Sequence, residues 1–192
     1  MIRFDPNEYG PTFAPLLSVD RLRPLDGGMP DLSRRKELDK LTVDSAFFHA
    51  QVLDPEMARC CLAGVWLLHD FLDASHKLSQ NIDTPSGSFW HGIMHRREGD
   101  YSNAKYWFRR VELQEVFLPQ AERATELASH LGVTMPKSMA HAQWDPFAFV
   151  DACQRAVRTG EQVELCCALQ QAEWELLFDF CYRSARGPSV TQ

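Results

Sequence analysis

The spacing of apolar residues changes character near residue 30. Before it, prolines at positions 6, 11, 15, 24 and 30 and the Gly27-Gly28 pair leave no room for a long regular element. The apolar residues there, Phe4, Phe13, Leu16, Leu17 and Leu22, are too many for a segment floating in solvent. They predict an extended arm over 1–30 with one short helical turn near Phe13 to Val19, packed across the rest. From Asp31 onward apolar residues recur at three and four, the period of helices with one buried face.

Asp31 and Asp44 are each placed to cap a short helix, the first ending near Lys40 and the second running through Ala46, Phe47 and Phe48. The clearest helix opens at Asp54-Pro55-Glu56. It sets Met57, Cys60, Cys61, Gly64, Val65, Leu68, Phe71, Leu72, Ser75 and Leu78 at helical spacing, to about Gln80. After a turn over 81–87, Ser88 is placed to cap a second helix that Gly99 stops. Asp100 or Ser102 then starts a third through Tyr106, Trp107 and Val111, broken by Pro119. Further helices are expected over 120–131, 145–159 and 161–186, the last stopped by Gly187-Pro188, with 187–192 frayed. No strand-like alternation of useful length occurs. The expected fold is all-α: a single compact helical bundle over 31–186 with the Pro-rich arm packed on it.

Composition narrows the class. The 192 residues suffice for one sizeable core, and 45% apolar with 24% charged residues is ordinary for a globular domain. The first residues lack the apolar run of a signal peptide, and the apolar stretch Cys60 to Leu68 is far short of the roughly 20 residues that span a bilayer. The six cysteines fall in apolar helical segments without zinc spacing and read as buried thiols in a reducing compartment, so a cytoplasmic location is expected. A formal charge of −6 disfavours nucleic acid as a partner.

Against that background two groups of residues stand out. His69, Asp73 and His76 lie at i, i+4, i+7, and His91, His95 and Glu98 repeat the spacing on the next helix. If the connecting turn makes the helices antiparallel neighbours, His76 meets His91, Asp73 meets His95 and His69 meets Glu98. Histidines with carboxylates on facing helices are how bundles build sites for Zn, Fe or Mn. His69, His76, His91 and His95 are then the candidate ligands, with Asp73 or Glu98 as general base. His91-Gly92-Ile93-Met94-His95 has the histidine spacing of a zinc protease, but Gly92 stands where the glutamate base belongs.

The second group is the stretch His95 to Arg110, which carries five Lys or Arg against two acids. Arg96, Arg97, Lys105 and Arg109 are candidates for neutralising a phosphate or carboxylate, with Asn103 adding a directional hydrogen bond. Trp90, Tyr101, Tyr106 and Trp107 offer ring faces for a flat group.

Leu67-Leu68-His69-Asp70 resembles the centre of the HD-domain metal-dependent phosphohydrolases, which are all-helical. That resemblance implies a metal held by His69 and Asp70, with His49 as the earlier histidine and Asp145 or Asp151 as the later aspartate. Ser88 to Glu98, with Asn103 to Arg110, also resembles a functionally uncharacterised group of microbial helical proteins, which implies no activity. Two classes of function stay open. One is binding, with hydrolysis as the reaction class, of a small anionic molecule at a metal-dependent site between the two central helices. The other is a non-catalytic interaction or scaffold protein whose histidines and carboxylates form a buried polar network.

Overall fold

A computed structural model describes residues 4–112, 115–136, 139 and 143–186. The tail expected to fray, 187–192, lies outside the described residues. Among the described residues there are ten α-helices, one short 3-10 helix and no strand, so the fold is all-α.

The arm is more helical than its prolines suggest. Asp5 accepts a hydrogen bond from the Asn7 amide and caps a 3-10 turn, Pro6–Tyr9, and helix α1 (Gly10–Leu17) follows with Pro11 in its first turn. Proline at a helix start removes an N–H that had no partner anyway, so two of these prolines open helices instead of breaking them. The helical part therefore begins before Phe13 and ends at Leu17. Tyr9 and Phe13 meet Phe178 and Tyr182 edge-on at 5.1 to 6.0 Å, which seats the arm on the last helix.

Helices α2 (Arg35–Leu38) and α3 (Val43–Ala46) are single turns. Asp31 caps neither, since its carboxylate accepts from the amide and hydroxyl of Ser33 in the turn before α2. Thr42, not Asp44, caps α3, because Thr42 and Ser45 satisfy each other's amides in a capping box.

Helix α4 (Pro55–Leu68) starts on the Asp54 cap as the sequence suggests but does not run to Gln80. It stops at His69, and α5 (Leu72–Ser79) starts afresh. Asp70 adopts the left-handed conformation with φ 61°. Its amide donates to the Leu67 carbonyl, the Phe71 amide donates to the Trp66 carbonyl, and the Trp66 and Phe71 rings meet at 5.3 Å. Those two bonds and that apolar contact make a Schellman turn with aspartate where glycine is usual. A non-glycine residue there costs about 1–2 kcal/mol, and aspartate is one of the few that visit the region.

Helix α6 (Pro85–Glu98) is capped by Thr84 with Pro85 at its first position, so Ser88 lies inside the helix. Gly99, at φ 84°, ends it. Helix α7 (Tyr101–Phe108) is capped by Asp100 and stops short of Val111. Helix α8 (Phe117–His130) carries Pro119 in its first turn, again a start and not a break. Helices α9 (Pro146–Thr159) and α10 (Val163–Arg186) complete the fold.

Helix α10 packs on α4, α8 and α9, while α6 lies against α4, α5 and α7. Helix α4 is thus held between α10 and the α5–α6 pair. Two glycines set the spacing. A Cβ on Gly64 of α4 would come within 2.8 Å of the Trp90 ring, and one on Gly92 of α6 within 2.9 Å of Phe108 of α7. Five cysteines are buried, Cys167 is half-buried, and all six are free thiols. Among the described residues no helix is long and apolar enough to cross a membrane.

Candidate metal centre

The close packing of α5, α6 and α7 gathers three histidines. His91 and His95 lie one turn apart on α6, and both are buried. His76 reaches them from α5, its ring centroid 4.6 Å from that of His91 and 5.3 Å from that of His95. Nitrogens from the three, one each, lie within 4.8 Å of one another, and His76 is the half-buried member. Trp107 of α7 stacks on His91 at 3.9 Å. Gly92 makes this possible, since any side chain there would push α7 away.

The hydrogen bonds around the cluster fix which nitrogen of His95 carries its proton. Glu98 Oε2 lies 3.0 Å from His95 Nδ1. An ionised carboxylate only accepts, so His95 is protonated on Nδ1 and presents a bare lone pair at Nε2. That one lone pair is faced by two groups, His91 Nε2 at 2.9 Å and the Asn103 side-chain amide at 3.1 Å. Ser79 Oγ sits 3.2 Å from His91 Nδ1, on the far side of that ring. If the His91 proton lies toward Ser79, both Nε2 lone pairs point at one spot and call for a cation between them. If it lies on Nε2, the two rings share that proton instead.

Both buried rings are neutral near pH 7. Burial, followed by the neighbouring His95 and His76, holds His91 down to about 3. Burial also lowers His95, against the pull of Glu98. Neutral imidazole is the form that binds metal, so protons compete little for these two rings.

The helix break sends the other sequence candidates elsewhere. Beyond the Schellman turn His69 no longer shares a stripe with His76, and its Nε2 donates to the Leu16 carbonyl at 3.0 Å, tying the arm to α4. Asp73 is exposed and lines a cleft with Trp66 and Phe71. Asp70 pairs with Arg97 at 2.6 Å. The expected pairings of Asp73 with His95 and His69 with Glu98 are therefore absent, while that of His76 with His91 is present.

The basic stretch is not a free anion-binding face. Arg96 is fully buried, paired with Glu173 at 2.5 Å and lying over Phe149 at 4.4 Å. Arg97 is buried too, and besides Asp70 it donates to the Leu67 carbonyl at 2.9 Å, satisfying the end of α4. Lys105 pairs with Asp151 at 2.6 Å. Trp90 is core, packed on Trp174 and Gly64. Tyr101 is half-buried against the core, Tyr106 is exposed with its ring edge toward Trp107, and Arg109 is exposed at the end of α7. Of the residues proposed to bind the anion or its flat group, Asn103 and Trp107 touch the histidines. Net positive charge along a sequence does not survive as surface charge when the partners come from other helices.

The residues that the HD-domain resemblance needs are held apart by separate partners. His49 bonds the Tyr182 hydroxyl, Asp145 caps α9 and Asp151 pairs with Lys105. Among the described residues the group able to hold a metal is His76, His91 and His95. Sequence reasoning missed Ser79, although its place three residues after His76 on the same helix signals it. Comparison with protein-family models, with curated proteins and with solved structures finds no match, so the function is argued from this geometry.

Proposed function

We propose that the protein holds one divalent metal, Zn, Fe or Mn, on His76, His91 and His95, and uses it to bind a small anionic molecule. What supports this reading is a single arrangement: three imidazole nitrogens within 4.8 Å, two of the rings buried and oriented by Ser79 and Glu98. A hydrogen bond to the far nitrogen of a ligating histidine is what fixes its ring and tautomer in metal sites. Three imidazoles suit Zn or Fe better than Mn, which prefers oxygen ligands. Three protein ligands leave a further position open, the pattern of reactive rather than structural metal sites. With Arg96 and Arg97 engaged internally, the metal itself supplies the positive charge that an anion needs. Hydrolysis is the reaction class that fits, the metal polarising an oxygen or activating water while Glu98 holds the His95 ring from its far nitrogen.

Elemental analysis of protein purified without an affinity tag tests this. One equivalent of Zn, Fe or Mn is expected, and it should be lost in a His91→Ala/His95→Ala variant. Protein that stays metal-free after reconstitution with each of the three ions sinks the reading.

One observation favours a second reading. The 2.9 Å between His91 Nε2 and His95 Nε2 is hydrogen-bond length, whereas nitrogens on a tetrahedral zinc stand about 3.3 Å apart for bonds of about 2.0–2.1 Å. In this alternative the cluster is a metal-free polar network in an interaction protein. The same metal analysis separates the two.

A further inference from the structure

We infer that Asn103 is the residue that selects oxygen ligands at the open position of this metal centre, and that the ligand class it admits is small oxyanions, carboxylates and phosphates. The inference rests on the metal reading above. It starts from the lone pair of His95 Nε2, which the Asn103 amide faces at 3.1 Å and His91 Nε2 at 2.9 Å. With the His91 proton toward Ser79, His91 Nε2 is itself a lone pair, and Asn103 is the donor to His95. Because Glu98 keeps the His95 proton on Nδ1, Asn103 must present its NH2 to that ring rather than its carbonyl oxygen.

A metal bound to His95 takes that lone pair. The Asn103 NH2 then loses its acceptor while staying within second-sphere reach of the ion. It is half-buried, and an amide N–H left without an acceptor there is unfavourable. A lone pair on an oxygen at the open position relieves that cost. A donor fixed beside a metal stabilises an oxygen carrying negative charge most, which is the logic of an oxyanion hole. Helix α7 holds the residue in place independently of this role. The backbone amide of Asn103 bonds the Asp100 cap at 3.1 Å, with the side-chain amide adding to it. Removing the side-chain amide therefore leaves the backbone bond of the cap in place.

The test uses the full chain loaded with Co2+ as a visible probe. Titration with acetate and with inorganic phosphate should change the absorption bands of the wild type. Asn103→Ala should bind Co2+ as tightly or more tightly, yet bind both anions about tenfold more weakly, as loss of one charge-assisted hydrogen bond implies. Asn103→Asp, which keeps the shape but replaces the donor with an acceptor, should lose the anion response altogether. Equal anion affinity in wild type and both variants, or no anion response in the wild type, overturns the inference and leaves the metal site standing. Wild type that binds no Co2+ overturns both. Should Asn103→Ala fail to fold, Asn103→Asp decides alone, because retained anion binding in that variant is enough to reject the role.

Discussion

Helix α6 buries two pairs of titratable side chains side by side and treats them in opposite ways. Arg96 and Arg97 each receive a carboxylate from another part of the chain, Glu173 on α10 and Asp70 at the end of α4. His91 and His95 receive no buried carboxylate. They lean on each other, on His76, on a serine and on the exposed Glu98. The arginines cannot shed their charge, so burial forces a partner on them. The histidines can shed theirs, and burial makes them neutral donors of lone pairs. The same helix thus carries one half whose electrostatics are internally closed and another whose neutral rings could hold a cation.

That contrast can be broken first at its stiffest point. Glu173→Ala leaves Arg96 charged and uncompensated in the core, so unfolding stability should fall by about 3–5 kcal/mol in urea titrations. A loss under about 1 kcal/mol would show that Arg96 is not held as a closed pair.

A gentler test uses His69, buried like His91 but outside the cluster. Burial lowers its pKa below the ordinary value, more than its bond to Leu16 and the nearby Asp31 raise it. Below about 6.5, the unfolded chain takes up a proton that the folded chain refuses, so stability falls as acid is added. The contribution of this group is complete above that pH and declines by up to about 1.4 kcal/mol per pH unit below it. His69→Gln, which can still donate to Leu16, should flatten the stability profile of metal-free protein between pH 7 and pH 5. Identical slopes in variant and wild type would refute the assignment.

The smallest effect belongs to a basic residue of the stretch that, like Arg110 with Asp83, keeps a partner at the surface. The pair of Lys105 with Asp151 is partly exposed on both sides. Lys105→Ala should change stability by no more than about 0.5 kcal/mol, measured beside Glu173→Ala. A loss several times larger would erase the distinction between closed core pairs and surface pairs.

Much of the fold was legible because its signals are local. Asp54-Pro55, Asp145-Pro146, Asp100 and Gly99 act at helix ends within a few residues of where they stand. The break after α4 was not legible by the same rules, since no glycine or proline marks it. Its signals are subtler: an aspartate tolerant of the left-handed region, and Trp66 and Phe71 five positions apart. The pairing of His76 with His91 followed from helix spacing and a short turn. The fate of the arginines did not, because Glu173 lies 77 positions from Arg96 and Asp70 lies 27 from Arg97. A basic run looks the same in sequence whether its counter-charges are distant or absent.

The Schellman turn at Asp70 has one further consequence. Each residue advances a helix by about 100°, so an unbroken helix from Pro55 would have fixed the direction of position 76 by counting from position 69. Three irregular residues cancel that count and let α5 choose its own azimuth. The turn acts as a phase coupling between two rotors: α4 is clocked to the core by Trp66, Leu67 and Leu68, and α5 is clocked to α6 by His76 and Ser79. Length at this joint, more than its chemistry, sets the alignment. Inserting a single residue between Phe71 and Leu72 would leave every histidine in the sequence while turning His76 away from its two companions.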